Sequence, residues 1–324
     1  MHVLVIGAAG MIGRKLTQRL ASDGRLGERR VTQATLYDVV PAPVPAGASF
    51  PIGVEVGDLP APGETDRLMA GRPEVVFNLA AIVSGEAEED FDKGYRINLD
   101  GMRNLLDSIR AAGHAPRLVF ASSLAVFGAP FPAAIPDDYH LTPLTSYGTQ
   151  KAIGELLLAD YTRKSFVDGV GLRLPTICVR PGNPNKAASG FFSSILREPL
   201  AGQEAVLPVG DDVRHWFASP RAAVGFLVHA ASLDARILGP RRSITMPGVT
   251  ATIGEMIAAL RKVAGDEVAA RIRRVRDPFI EEIVAGWPRK FTTQRALELG
   301  FTAERSVEDI IRIHIDDELD GQIA

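Results

Sequence analysis

The chain has a single cysteine, Cys178, among 324 residues. A lone thiol excludes an intramolecular disulfide and fits a reducing compartment. Excess positive charge is missing too: 36 lysines and arginines stand against 39 acidic residues, for a formal charge of −3 and a sequence pI near 6.1. That balance gives no electrostatic ground for a nucleic-acid or anionic-membrane partner. The densest basic group, Arg271, Arg273, Arg274 and Arg276, reads as solvated surface. No run approaches the ~20 apolar residues of a membrane-spanning helix. The opening stretch His2-Val3-Leu4-Val5-Ile6 is too short and too soon closed by glycine for a signal peptide's apolar region. The six histidines show no metal-ligand spacing, so no metal is expected. Neither a repeat nor a low-complexity tract is present. The expectation is a soluble, cytoplasmic globular protein with one large core or two unequal domains.

What is there begins with Val3-Leu4-Val5-Ile6, an apolar, β-branched run suited to a strand buried on both faces. It ends in Gly7-Ala8-Ala9-Gly10-Met11-Ile12-Gly13, and helical spacing follows at Ile12, Leu16 and Leu20. Glycines between a strand and a helix let the backbone approach a pyrophosphate at the positive helix N-terminus, here with G-x-x-G-x-x-G spacing. A second strand, Ala34 to Tyr37, ends at Asp38. A carboxylate there accepts both ribose hydroxyls of adenosine and repels a 2′-phosphate, which favours NAD over NADP. Further strands are read at Val54–Val56, leading to Asp58-Leu59 on the adenine side, at Val75–Phe77, leading to Asn78-Leu79-Ala80-Ala81, at Leu118–Ala121 and at Val170–Leu174. Between them, Phe91, Tyr95, Leu99, Met102, Leu105, Leu106 and Ile109 predict one long amphipathic helix from about Glu88 to Ala112, with Asn98 inside it. Six strands alternating with helices give an α/β, doubly wound parallel sheet. After Leu174 the regularity weakens, with helices near Gly190–Arg197, Pro220, Thr252–Val263 and Val307–Leu319 and a strand near Ser243–Met246. The reading is a dinucleotide-binding domain over 1–174 and a mainly substrate-binding portion over 175–324, some of whose segments return to the first domain.

The stretch that focuses this frame is Ser146-Tyr147-Gly148-Thr149-Gln150-Lys151. Tyrosine and lysine four apart lie on one helical face. An ammonium beside a phenol favours the phenolate and makes the pair a candidate acid/base. The fifth strand delivers Ser122 and Ser123 to the sheet edge where ligands bind in such folds.

Together these pieces resemble the extended short-chain dehydrogenase/reductase family, of the NAD-dependent epimerase/dehydratase type, over nearly the whole chain. The glycine turn, Asn78-Leu79-Ala80-Ala81, Asn98-Leu99-Asp100-Gly101 with Asn104-Leu105-Leu106, and Ser122-Ser123-Leu124-Ala125-Val126-Phe127-Gly128 are similar to its motifs. Phe127 replaces a usual tyrosine, and in Arg214-His215-Trp216-Phe217 His215 replaces a common aspartate. The resemblance implies a Rossmann sheet, NAD as cofactor, and Ser123, Tyr147 and Lys151 as the catalytic set. In it Tyr147 is the acid/base, Lys151 lowers its pKa and holds the nicotinamide ribose, and Ser123 bonds the reacting oxygen. Gly7, Gly10, Met11, Ile12, Gly13, Asp38, Asp58, Leu59, Leu79, Ala80, Ala81, Asn98 and Pro175 join Tyr147 and Lys151 as cofactor contacts.

Leu124-Ala125 after Ser123 lacks the acidic pair of the family's dehydratases. The stretches from Ala80 to Ala87, Pro175 to Gly182 and Asn185 to Phe192 look like its D-erythronate dehydrogenase group, implying NAD⁺-dependent oxidation at C2 of a small sugar acid. A carboxylate substrate calls for a cation, with Arg180, Lys186 and Arg214 as candidates, and Ser84, Ser123, Thr176 and Asn185 for hydroxyls. The rivals are a nucleotide-sugar epimerase of the same family and an NAD-sensing protein without turnover. The family commonly pairs the 88–112 and 147–161 helices in a homodimer, and the sequence alone leaves the oligomeric state open.

Overall fold

The computed structural model describes residues 1–182 and 189–324, so Asn185 and Lys186, two of the expected substrate residues, lie outside the described residues. The chain divides into two compact units. The first comprises Met1–Val126, Thr145–Leu174 and Val224–Thr245, and the second Phe127–Leu144, Pro175–Ala223 and Met246–Ala324.

The first unit is built on a seven-stranded parallel sheet. Its strands are β1 His2–Ile6, β2 Gln33–Asp38, β3 Ile52–Val56, β4 Val75–Asn78, β5 Arg117–Ser123, β6 Asp168–Leu174 and β7 Ser243–Thr245. Their order is β7-β6-β5-β4-β1-β2-β3. Val3, Leu4, Val5 and Ile6 are each at most 1% exposed, which is why β1 reads as an unbroken apolar run: both its faces are covered. The crossovers turn in opposite directions on either side of β1, and such a switch point is where open α/β sheets bind ligands. Register brings Ile6 beside Tyr37 and Asn78, and Ser123 beside Leu174, so the candidate residues leave the sheet along one edge.

All six expected strands form. The strand expected near Ser243–Met246 also forms, as β7, and pairs with β6 through Ser243 and Gly171, which makes it the seventh strand of the sheet. The single long helix expected over 88–112 is corrected. The structure has short helices Ser84–Glu89 and Phe91–Gly94, a π-helical turn Tyr95–Asp100, and then a regular helix from Gly101 to Ala112. Asp90 causes the first break: its backbone leaves the helical region (φ −128°, ψ 87°) and its carboxylate accepts the Lys93 amide at 3.0 Å. The π turn, which carries an extra residue, is where Asn98 sits.

Three helices of this unit matter most for the site: α1 Met11–Asp23, α2 Gly101–Ala112 and α3 Ser146–Arg163. Leu16 and Leu20 of α1 are buried, and α2 buries Met102, Leu105, Leu106 and Ile109 in the sheet's core. Thr145 starts α3 by accepting the Gly148 amide at 3.0 Å, an N-cap worth about 1 kcal/mol.

The second unit has a mixed three-stranded sheet in which Arg214–Ala218 runs antiparallel to Val249–Thr252 and parallel to Thr176–Ile177. Helices Gly190–Leu200, Ile253–Ala264 and Val307–Glu318 form close to where they are expected. They bury Phe192, Leu196, Ile253, Leu260 and Ile311 in one core with Phe217.

Candidate active site

The glycine turn joins β1 to α1. Gly7 takes a left-handed φ of +86°, and a Cβ on Gly13 would lie 2.2 Å from the Gly7 carbonyl oxygen, so only glycine lets α1 start this close to the strand. Gly10 caps α1 with no side-chain bond, and the helix has no acidic residue in its first turn. Its first amides are therefore left for an anion. Asp38, at the end of β2, accepts the Ala9 amide at 2.8 Å and its neighbour Val39's at 2.7 Å. These bonds pin the carboxylate beside the turn while its remaining lone pairs stay available to ribose hydroxyls. Uncapped amides for a pyrophosphate and a fixed carboxylate for a ribose fit NAD.

Farther along the edge, Asp58 is ion-paired with Arg96 at 2.5 Å, and Leu59 is buried. Leu79 donates its amide to the Ile6 carbonyl at 2.9 Å, and Ala80 and Ala81 follow with side chains no larger than a methyl group. Asn98 is only 4% exposed and its side chain is committed. It holds the Ile82 amide (2.9 Å) and carbonyl (3.2 Å) and donates to Gln150 Oε1 at 2.8 Å. It thereby fixes the loop after β4 to α3. Ser84 opens the short helix that follows.

Ser123, Tyr147 and Lys151 come together at the end of β5 and the start of α3. The Ser123 side chain stands close enough to the Tyr147 phenol to favour its ionised form, and Ser123 Oγ accepts the Ala125 amide at 3.1 Å. Lys151 Nζ donates to the Ala121 carbonyl at 2.8 Å and lies 5.6 Å from the Tyr147 ring centroid. The close approach depends on Gly148, where a Cβ would stand 2.1 Å from the Ala125 carbonyl oxygen. Tyr147 keeps part of its surface exposed, yet the protein around it pushes the phenol up to about 12, against the pull of the Ser123 side chain. Burial likewise pushes Lys151 down to about 8, opposed by the Glu155 carboxylate. In the protein alone, burial outweighs the influence of Ser123 on the phenol.

In the second unit Thr176 Oγ lies 2.6 Å from His215 Nε2, and His215 Nδ1 lies 2.9 Å from the Pro288 carbonyl. A carbonyl only accepts, so the ring proton is on Nδ1, and Nε2 accepts from the Thr176 hydroxyl. Burial holds His215 down to about 4 and hence neutral, with Phe192 stacked on it at 5.2 Å. Thr176 is left as an acceptor toward any ligand. Arg214 donates to Glu255 at 3.2 Å. Arg180 donates to Ser189 Oγ at 2.8 Å, and burial lowers its pKa; among the described residues it has no carboxylate ion pair. Pro175, directly after β6, is buried.

Sequence reasoning missed Gln150, Glu155 and Arg173. Glu155 lies eight residues after Tyr147 on the same helical face, a spacing that could have marked it. Gln150 and Arg173 are identified by partners 52 and 18 residues away.

The sequence matches the NAD dependent epimerase/dehydratase family over residues 3–235. It is 46% identical to a D-erythronate dehydrogenase of Cupriavidus necator over 322 residues, 98% of each chain. To one of Haemophilus influenzae it is 39% identical, over 98% of this chain and 99% of that one. Among solved structures, one described as a nucleoside-diphosphate-sugar epimerase from Agrobacterium tumefaciens superposes with a TM-score of 0.98 at 62% identity, over 100% of this chain and 96% of that one. Among the described residues no helix is long and apolar enough to cross a membrane. With a glycine turn, a strand-end carboxylate and a Ser–Tyr–Lys cluster on one Rossmann sheet, the chain belongs to the NAD-dependent epimerase/dehydratase family, within the extended short-chain dehydrogenases, and is an NAD-dependent oxidoreductase.

Proposed function

We propose that the protein oxidises the C2 hydroxyl of a small sugar acid, D-erythronate first among them, to the 2-oxo acid. The observation that carries this reading is the Ser123–Tyr147–Lys151 cluster in a chain with two relatives, 46% and 39% identical over 98% of its length, that are both named D-erythronate dehydrogenase. NAD⁺, when bound, supplies the hydride acceptor. The side chains handle proton and orientation: Ser123 donates to the substrate oxygen, and Tyr147 takes the C2 hydroxyl proton. Lys151 would stabilise the phenolate and hold the nicotinamide ribose. Because Glu255 already engages Arg214, Arg180 is the better anchor for the substrate carboxylate. Thr176, restricted to accepting, suits a substrate hydroxyl that donates.

Steady-state assays with D-erythronate, comparing NAD⁺ and NADP⁺, test the proposal directly. Stoichiometric NADH is expected, and its absence with erythronate and related aldonates would remove the substrate assignment. The name of the Agrobacterium structure favours a second reading, epimerisation of a nucleotide-linked sugar, which returns the hydride. Interconversion of such sugars without net NADH would establish it instead.

A further inference from the structure

Tyr147, Lys151 and Glu155 recur every four residues along α3 and share one face. Each grips a different residue at the end of β5. Tyr147 lies against Ser123, Lys151 Nζ donates to the Ala121 carbonyl, and Glu155 Oε1 accepts the Ser122 hydroxyl at 2.5 Å. Ser122 in turn pairs in register with Arg173 of β6. Arg173 reaches back to the same carboxylate, through Nε at 3.0 and 3.1 Å and Nη2 at 2.8 Å. Its Nη1 lies 3.5 Å from Thr245 Oγ on β7. Glu155 is 3% exposed, Arg173 8%, Lys151 2% and Ser122 3%, so the network is shut off from solvent.

Stability alone is a poor reason for such a pair, because apolar residues of similar volume often replace a buried ion pair without loss. Its placement is more informative. The carboxylate stands one helical turn from a buried ammonium, and it accepts the hydroxyl of the residue before Ser123. The groups facing the ammonium are the Phe120 ring at 4.8 Å, the Tyr147 ring, the Ala121 carbonyl and the Glu155 carboxylate with its bound Arg173. Of these, only the carboxylate carries a negative charge.

We propose that Glu155 is a positioning residue for the catalytic cluster: it clamps the Ser122–Ser123 end of β5 to α3 and keeps Lys151 protonated at working pH. The proposal rests on the reading that Tyr147 and Lys151 carry the proton chemistry. Burial opposes the lysine's charge and the neighbouring carboxylate supports it, so without Glu155 the ammonium would lose its proton nearer neutrality.

The titration that tests Glu155 needs no substrate. The chain has seven lysines, few enough to follow individually by ¹³Cε-lysine NMR, with the Lys151 resonance identified by its loss in Lys151→Met. In the wild type Lys151 should titrate near 8. In Glu155→Gln it should titrate lower by roughly one pH unit or more, the size expected for a partly screened charge one helical turn away. Glu155→Asp, which keeps the charge, should recover most of that difference. Glu155→Gln strands a buried guanidinium and can fail to fold, so Glu155→Gln/Arg173→Met, with neither charge left, carries the same measurement and should also titrate below the wild type. Lys151 titrating at the wild-type pH in either folded variant would overturn the proposal. Tyr147→Phe separates the two layers: normal turnover in that variant defeats the acid/base reading, whereas an inactive Tyr147→Phe, together with a Lys151 titration that the Glu155 variants leave unchanged, defeats only the role of Glu155.

Discussion

His215 offers a perturbation whose size can be worked from its surroundings. It is 4% exposed, packed between Phe192, Phe217 and Trp287, and burial holds it down to about 4 against an ordinary 6.5. Between those values the unfolded chain binds a proton that the folded protein refuses, so stability falls as pH drops through this window and is restored above it. The full gap is worth about 3 kcal/mol, of which about 2 kcal/mol is already lost at about pH 5. Other groups titrate there too, so the quantity to read is a difference between proteins. His215→Asn keeps an N–H donor for the Pro288 carbonyl and cannot itself titrate. Urea unfolding at about pH 7.5 and about pH 5 should show the wild type losing about 2 kcal/mol more than the variant over that interval. Parallel losses in the two proteins would refute both the neutral ring and the hydrogen-bond direction assigned to Thr176.

Tyr147→Phe should lower kcat by about 10²–10⁴-fold while leaving NADH binding intact, as expected when a general acid/base is removed; stopped-flow and fluorescence titration read the two effects. Asp38→Asn replaces one of the two acceptor oxygens facing the ribose with an NH2 donor and removes the charge that repels a 2′-phosphate. It should cut kcat/KM for NAD⁺ about tenfold or more and narrow the preference over NADP⁺, and an unchanged cofactor ratio would show that Asp38 does not read the ribose. Gly148→Ala places a methyl group against the Ala125 carbonyl and should cost about 1–3 kcal/mol in urea unfolding, with a fall in kcat. A fully stable and active variant would show that α3 has slack at this contact.

Legibility in the sequence followed the range of the interactions. The β1 run, the glycine turn, Asp38 and the Tyr147–Lys151 spacing are local patterns, and each forms where it is expected. The spacing over 88–112 reads as one helix because apolar residues continue through Asp90 and the π turn, although the regular backbone does not. A mid-helix asparagine gives no sign that its amide will hold Ile82 and Gln150. Glu155 would pass for a solvated helix residue, and only the register of Ser122 with Arg173 buries it. The proton on His215 is decided by a carbonyl 73 residues away. Periodicity cannot report partners set by tertiary packing.

The charge states of α3 constrain how the site works. A phenol near 12 is almost wholly protonated at neutral pH, and an ammonium near 8 is mostly charged there. Tyr147 by itself is therefore a poor base, and Lys151, which burial has already weakened, does not make it a good one. Abstraction of a hydroxyl proton at neutral pH requires more positive charge near the phenol than the chain provides, and the fixed charge of an oxidised nicotinamide is the form in which NAD⁺ would bring it. Proton removal is then coupled to the presence of oxidised cofactor. On the proposed reading, Tyr147 stays a protonated phenol until a hydride acceptor is present. Glu155, by holding the lysine's proton, preserves the part of the positive charge that the chain itself supplies.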